Sequence, residues 1–199
     1  MSNDGVNTGR RRFLTAATSV VGAAGVVGVA VPFVGSWNPS AKAEAAGAPV
    51  KVDVSKLEPG QMVVKEWRGK PVYVMRRTDN QLAGLDKVDE FLKDPMSGNE
   101  AQQPAYVDPQ ARSIKPEILV LVGLCTHLGC APKKRFEVGA ADLGGDTWQG
   151  GFFCPCHGSK FDLAGRVYKG VPASDNLEVP PYKYESDNVL VIGVDQEAA

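Results

Sequence analysis

The pattern of apolar and polar residues divides the chain into two parts. Residues 13–34 are apolar except for two threonines and one serine. As a helix, this run of residues would be roughly 33 Å long, about the thickness of the hydrocarbon core of a bilayer. A helix buried in a soluble domain is rarely apolar on every face. The pattern therefore predicts a transmembrane helix over residues 13–36, preceded by a polar tail over residues 1–12.

The pattern of the remaining residues predicts a linker followed by a β-rich domain, which we call the head. Residues 37–49 are rich in Ala, Gly and Pro and show no hydrophobic period, so they are expected to form a flexible linker. In the head, residues 50–199, short runs of Val, Ile, Leu and Tyr are separated by turn residues, which is typical of strands. The predicted strands are 50–54, 61–67, 71–77, 118–124, 151–153, 176–179, 183–184 and 189–194, with a hairpin turn at 186–188.

Helical signals are weak throughout the head. One short helix is expected around residues 85–92, and no long amphipathic stretch is present. The head should therefore be mainly β, a sandwich or a small set of stacked antiparallel sheets. Residues 94–116 are polar and contain prolines, so we expect them to form an insertion on the surface.

The overall charge excludes one broad class of partner. The 199 residues contain 22 Lys and Arg against 23 Asp and Glu, which gives a formal net charge of -1. A nucleic-acid-binding protein would show a basic excess or a basic stripe, so no nucleic acid is expected among the partners. The mean hydropathy is negative, which argues against several membrane spans.

All the cysteines and histidines lie in two short segments. The first is C-T-H-L-G-C, from Cys125 to Cys130, and the second is C-P-C-H-G-S, from Cys154 to Ser159. Each follows a predicted strand and contains Gly or Pro, so both are expected to be loops at strand ends. Thiolates and imidazoles can hold a single zinc ion, and four cysteines can form disulfides, although disulfides alone leave both histidines without a role.

The two segments resemble the cluster-binding loops of Rieske iron–sulfur proteins. In a Rieske [2Fe-2S] centre, two cysteines hold one iron and two histidines hold the other. The resemblance implies one such cluster, with Cys125 and Cys154 as thiolate ligands and His127 and His157 as imidazole ligands. It also implies the Rieske architecture, in which stacked antiparallel sheets carry a two-loop cluster-binding region, here at about residues 118–175.

The resemblance assigns roles to the neighbours of these ligands. Cys130 and Cys156 would form a disulfide that clamps the two loops, as in the Rieske subunits of cytochrome bc complexes. Ser159 matches a serine whose hydroxyl donates to a cluster sulfide. Phe161 stands where many relatives carry a tyrosine that donates to a ligand sulfur, which should lower the potential here.

Two further parts of the chain are similar to contacts of that family around the cluster. Leu128 and Gly129 would form an apolar tip beside the ligands. The stretch around Pro172 resembles the loop that covers a third side of the cluster, although the spacing of its prolines differs from the usual pattern.

The N-terminus resembles an export signal. Arg10 and Arg11, followed by R-F-L, look like a twin-arginine signal, and three arginines would in any case hold the N-terminus in the cytoplasm. Both interpretations place the head outside the cytoplasm. We expect a single-pass protein of the bacterial inner membrane with a periplasmic head, whose anchor is retained although A-K-A at residues 41–43 resembles a cleavage site.

As a whole, the chain resembles the Rieske subunit of a quinol–cytochrome c reductase, a bacterial cytochrome bc1 complex. The resemblance implies a dimeric complex with cytochrome b and a membrane-bound c-type cytochrome, and ubiquinol as the electron donor. His127 or His157 would accept a hydrogen bond and a proton from the quinol, and the head would swing on its linker. The alternatives are the small Rieske subunit of a periplasmic oxidase such as arsenite oxidase, and a zinc-stapled binding module without redox function.

Overall fold

The N-terminal apolar segment forms one long helix. The structure, a computed structural model, describes Gly5 and residues 7–196, and its first helix, α1, covers Thr8–Gly35. The side chain of Asn7 caps the helix by accepting a hydrogen bond from the backbone N–H of Arg10 at 3.0 Å. The helix thus begins five residues before the predicted start, and the three arginines lie in its first turns.

Two threonine side chains within α1 are satisfied by the helix itself. The hydroxyl of Thr15 donates to the carbonyl of Arg11, and that of Thr18 donates to the carbonyl of Leu14. The helix is long and apolar enough to cross a membrane, and none of its side chains is buried in the protein. A second, short helix, α2, covers Ala41–Gly47 within the stretch expected to be a linker.

The described part of the head, residues 50–196, contains three small antiparallel sheets, which confirms the mainly β fold class. The strands are β1 Val50–Asp53, β2 Met62–Trp67, β3 Lys70–Arg76, β4 Ile118–Val122, β5 Lys133–Arg135, β6 Gly151–Cys154, β7 Ser159–Phe161, β8 Tyr182–Ser186 and β9 Val189–Ile192. One sheet has the strand order β1-β9-β8, the second β2-β3-β4 and the third β5-β6-β7. Short helices cover Asp79–Leu82 (α3), Asp86–Phe91, Glu100–Gln102, Ala141–Leu143 and Gly145–Thr147, the last four being 3₁₀-helices.

The core follows the most continuous apolar runs. Every residue of β4 is buried, and four consecutive residues of β3, Val72 to Met75, are buried beside it. A strand covered on one face alternates apolar and polar residues, whereas these runs do not alternate. Strands β3 and β4 of the middle sheet are therefore covered on both faces, whereas most of β2 is half-buried or exposed.

Three strand assignments from the sequence differ from the structure. The predicted strand at 176–179 is irregular, because its backbone groups bond to separate segments: the N–H of Leu177 donates to Gly165, and the N–H of Val179 donates to Gln102. Strands β5 and β7 were not predicted. Each has three residues, which is too short for a period of two to be visible.

The expectation of a surface insertion at residues 94–116 is wrong for part of that segment. Val107, Arg112 and Ser113 are buried, and the Arg112 side chain is completely enclosed. Its guanidinium donates to the side-chain oxygen of Gln103 and to the carbonyls of three residues, Gln102, Ala164 and Gly165. A buried guanidinium needs such a set of acceptors, and composition alone does not reveal them.

A network of buried arginines joins the middle sheet to the segment that follows β7. Arg166 forms an ion pair with the buried carboxylate of Asp162, at 2.7 Å, and a second with Asp89. Arg77, which follows β3, donates to the carbonyl of Leu163 at 3.1 Å. Its guanidinium also donates to the carbonyl of Pro116 and the hydroxyl of Ser113, and burial lowers the pKa of Arg77 to about 10.

Replacement of Asp162 by Asn should strongly destabilise the head. The Asp162 carboxylate accepts bonds from the backbone N–H groups of Ala164 and Arg166 and from the Arg166 guanidinium. Removal of one member of a buried pair leaves the other charge without its partner, so Asp162→Asn should cost about 3 kcal/mol of unfolding free energy. Denaturant unfolding of the full chain in detergent measures this loss. Asp187→Asn is the control, because the Asp187 side chain is fully exposed, and equal effects of the two changes would contradict the prediction.

Candidate iron–sulfur centre

Two tight loops carry the four predicted ligands. Loop 1, residues 125–130, follows β4, and loop 2, residues 154–159, connects β6 to β7. In loop 1 the N–H of Gly129 donates to the carbonyl of Cys125 at 2.8 Å, and in loop 2 the N–H of Gly158 donates to the carbonyl of Cys154 at 3.0 Å. These two glycines have φ angles of 78° and 79°, which glycine adopts without strain. The sequence therefore specifies the same turn after each ligand pair.

The two thiols predicted as ligands lie together beneath the loops. Cys125 and Cys154 are buried and carry free thiols, and the Cys125 thiol is close enough to contribute to the raised pKa of Cys154. Burial raises the pKa of the Cys154 thiol, whereas the backbone N–H groups of Cys156 and His157, which point at its sulfur, act in the opposite direction. Those N–H groups would stabilise a thiolate that is bound to a metal.

The two histidines lie together at the outer edge. The ring centroids of His127 and His157 are 4.8 Å apart, and the rings are perpendicular. His127 is half-buried and His157 is exposed. The structure thus brings together two buried sulfurs and two accessible imidazoles, one of each from each loop.

A disulfide joins the loops. It links Cys130 in loop 1 to Cys156 in loop 2, the pair that the resemblance implied. The sulfurs of Cys130, Cys154 and Cys156 lie within 4.8 Å of one another. This group is not a three-thiolate metal site, because the disulfide leaves only Cys154 able to supply a thiolate.

Ser159 and Phe161 both lie on β7. Ser159 is buried, and its hydroxyl oxygen accepts a hydrogen bond at 3.0 Å from the N–H of Ala173 in residues 170–175, which we call the covering loop. Phe161 is completely buried and lies opposite Phe152 in the sheet, two residue pairs along from Cys154 and Ser159. Ser159 thus ties the covering loop to loop 2.

The outer rim of the site is apolar. The side chain of Leu128 is 72% exposed, and Gly129 and Pro172 are also exposed. An isolated exposed leucine is ordinary. This one, however, lies in loop 1 between the predicted ligand His127 and the disulfide cysteine Cys130.

Two residues that support loop 1 were missed in the sequence. The hydroxyl of Tyr73 on β3 donates to the carbonyl of Pro132 at 2.7 Å, just after loop 1. The hydroxyl of Thr126 donates to the carbonyl of Asp175 in the covering loop at 2.6 Å. Thr126 lies inside the motif and could have been suspected, whereas no local signal identifies Tyr73.

The donor set fits a Rieske cluster. Two thiols and two imidazoles converge, with the sulfurs paired on the buried side and the rings paired on the outer side. That separation into a sulfur pair and a nitrogen pair is what a centre with one Cys-ligated iron and one His-ligated iron requires.

Comparison with known proteins identifies the family. Residues 48–183 match the model of the Rieske [2Fe-2S] domain. Residues 1–40 match the model of the twin-arginine signal of ubiquinol–cytochrome c reductase Fe-S subunits. The chain belongs to the Rieske family. The predicted cofactor class, one Rieske [2Fe-2S] cluster, is thereby confirmed.

Full-length relatives of this Rieske protein carry one description. The chain is 57% identical, over its whole length and 95% of the relative, to the ubiquinol–cytochrome c reductase iron–sulfur subunit of Allochromatium vinosum. It is 43% identical to the subunit of the same description from Blastochloris viridis, over 96% of this chain and 97% of the relative. Among solved structures, a chain of a hyperthermophilic respiratory Complex III is 27% identical, with 88% of this chain and 98% of that chain covered and a TM-score of 0.45.

Reduction of the disulfide should loosen the Rieske centre. The bond closes a separation of 26 residues, and chain-entropy arguments give such a cross-link about 3.5 kcal/mol of stabilisation. We expect the double variant Cys130→Ala/Cys156→Ala, and wild type treated with a thiol reductant, to lose the cluster signal in electron paramagnetic resonance (EPR) spectra faster than untreated wild type. Titration that finds both thiols free in the native protein would refute the prediction.

A hydroxyl added at position 161 should raise the midpoint potential. Phe161→Tyr would introduce a donor beside the ligand sulfurs, and such a donor stabilises the more negative, reduced state. A difference of about 1 kcal/mol between redox states corresponds to an upward shift on the order of tens of millivolts. A redox titration measures the shift. Phe153→Tyr, which adds a hydroxyl on the other face of β6, is the control, and an unchanged or lower potential for Phe161→Tyr would contradict the argument.

Proposed function

We propose that the chain is the Rieske subunit of a respiratory ubiquinol–cytochrome c reductase, the cytochrome bc1 complex. It would take one electron from ubiquinol bound to cytochrome b and pass it to a membrane-bound c-type cytochrome. The convergence of two buried thiols and two accessible imidazoles at one exposed edge is the observation that carries this proposal. Near-complete coverage of reductase subunits also supports it over a role in a periplasmic oxidase or a zinc module.

The ligand assignment follows the burial of the four side chains. We assign Cys125 and Cys154 to one iron and His127 and His157 to the other. The buried sulfurs would carry the anionic charge of the centre, with backbone N–H groups directed at Cys154. When bound, such a cluster supplies a one-electron redox couple whose potential is raised by its two neutral imidazole ligands.

The exposed imidazole is suited to bind the quinol. The His157 side chain is more exposed than that of His127, so we assign its outer ring nitrogen, in its deprotonated form, to accept the hydrogen bond of the quinol hydroxyl. The same nitrogen would hold the proton that leaves the quinol with the electron. Proton and electron uptake would then be coupled at one residue.

The apolar rim would provide the contact with cytochrome b. Leu128 projects into solvent beside the imidazoles, with Gly129 next to it and Pro172 exposed on the covering loop. An apolar tip that surrounds the reactive nitrogen would exclude water from the bound quinol hydroxyl. We propose that this rim docks on cytochrome b in a dimeric complex.

The N-terminal part would anchor and place the head. We propose that residues 1–12 are a cytoplasmic tail with the export signal at Arg10 and Arg11, that 13–36 cross the bacterial inner membrane, and that 37–49 tether the periplasmic head, residues 50–199. The apolar helix Thr8–Gly35 and the match of residues 1–40 to a twin-arginine signal support this arrangement. Export by that route carries folded cargo, which suits a protein that acquires its cluster before translocation.

The decisive test is the composition and spectrum of the protein from its native membranes. We expect two iron atoms and no stoichiometric zinc per chain, an EPR signal on reduction, and b- and c-type haem in the same preparation. Cys125→Ser should abolish the signal because it removes a buried thiolate ligand, whereas Cys130→Ser should weaken cluster retention without removing a ligand.

Two outcomes would overturn the proposal. A colourless, EPR-silent protein with one zinc per chain would remove the cluster assignment. A cluster-bearing protein that co-purifies with a molybdenum enzyme instead of the two cytochromes would remove the reductase assignment.

A further inference from the structure

A lysine from outside both cluster loops reaches the covering loop. The ammonium of Lys93 donates to the carbonyl oxygen of Val171 at 3.0 Å and to that of Ala173 at 2.6 Å. These two carbonyls lie on either side of Pro172. One cation therefore bridges two points of the covering loop that are 78 and 80 residues away in sequence.

The covering loop needs such contacts because it has no sheet partner. Residues 170–175 are irregular, and Pro172 has no N–H to donate. Carbonyl groups in irregular backbone require donors from elsewhere. The Lys93 ammonium supplies two of these bonds on one side of the loop, and Ser159 accepts the N–H of Ala173 from the other.

The backbone around Lys93 is itself fixed. Its N–H donates to the carbonyl of Val167 at 2.9 Å, and the N–H of Lys169 donates to the carbonyl of Phe91 at 2.8 Å. Between them, Leu92 and Tyr168 form an antiparallel bridge, and both side chains are buried. The backbone of Lys93 is thus set against the base of the covering loop by an ordered pairing, and its exposed side chain is held by the two carbonyls.

We propose that Lys93 is a positioning residue of the cluster site. Its ammonium holds the covering loop closed over the site, and its positive charge favours the reduced, more negative form of the cluster. The inference rests on the proposed function, because the cluster assigned there is what the loop covers. The clasp formed by Lys93, Val171 and Ala173 is nevertheless a property of the folded chain and can be measured separately.

The test compares two neighbouring lysines in the full-length protein. Lys93→Met keeps the length of the side chain and removes its charge and donors. Lys169→Met is the matched control, because the Lys169 ammonium donates to the carbonyl of Glu90 at 2.8 Å and does not bind the covering loop. Lys93→Arg restores a cationic donor.

Two readouts separate the clasp from general stability. Amide hydrogen exchange of residues 170–175 should become roughly tenfold faster in Lys93→Met, because a charge-assisted contact is lost locally. The midpoint potential of the cluster should fall in the same variant. Both properties should remain near wild type in Lys169→Met, and Lys93→Arg should recover at least part of each. If Lys93→Met does not accumulate, Lys93→Gln replaces it in the same comparison.

The outcomes distinguish this inference from the proposed function. Wild-type exchange in Lys93→Met, or equal changes in Lys93→Met and Lys169→Met, would overturn the positioning role. A lower potential without faster exchange would also overturn it, since the charge alone would then act. A wild-type protein without a cluster signal would overturn the proposed function, while the exchange measurement would still report on the clasp.

Discussion

Two short loops, each anchored at a strand end, carry the four proposed ligands at an exposed edge, and the disulfide between Cys130 and Cys156 is the interaction on which this arrangement depends. Each loop contributes one cysteine and one histidine. Neither loop alone can therefore fix how far the two sulfurs lie from the two imidazoles. The cross-link removes the freedom of the loops to separate, in the folded and in the unfolded chain. A bound cluster would otherwise have to provide that restraint itself, and would lose affinity by doing so.

Buried arginine side chains restrain the segment that follows loop 2. Three completely or almost completely buried arginines, Arg77, Arg112 and Arg166, donate to the segment that follows β7. Only Asp162 among their carboxylate partners is equally buried. Arginine suits this role because it stays charged when buried and presents five donors in a fixed plane. The turn that leads from loop 2 to the covering loop therefore cannot move without leaving carbonyls or guanidinium groups unsatisfied.

The sequence could predict the candidate ligands better than the residues that hold the surrounding backbone in place. Cys125, His127, Cys154 and His157 lie in two compact motifs, and the glycine after each ligand pair specifies the turn, so that local information is enough. Arg112 and Lys93 act across 50 residues or more, and their partners are mainly backbone carbonyls, which every residue possesses. No residue type marks such an acceptor in advance. The same limit explains the segment at 94–116, whose polar composition suggested a surface position although Arg112 is enclosed.

The contrast between buried thiols and accessible imidazoles follows from what each pair has to do. A thiolate ligand carries negative charge, and its burial among backbone N–H groups lets the protein set the stability of the reduced state through fixed dipoles instead of mobile water. An imidazole ligand keeps a second ring nitrogen, which can exchange a proton only if a partner can reach it. If the thiolates were exposed and the imidazoles buried, solvent would screen the charge of the thiolates, and the proton of the imidazole would have no path to a partner. The covering loop would therefore have to shield the two sulfurs while it leaves the histidine edge open. The position of this loop, and the residues that hold it there, would then affect both electron transfer and proton transfer.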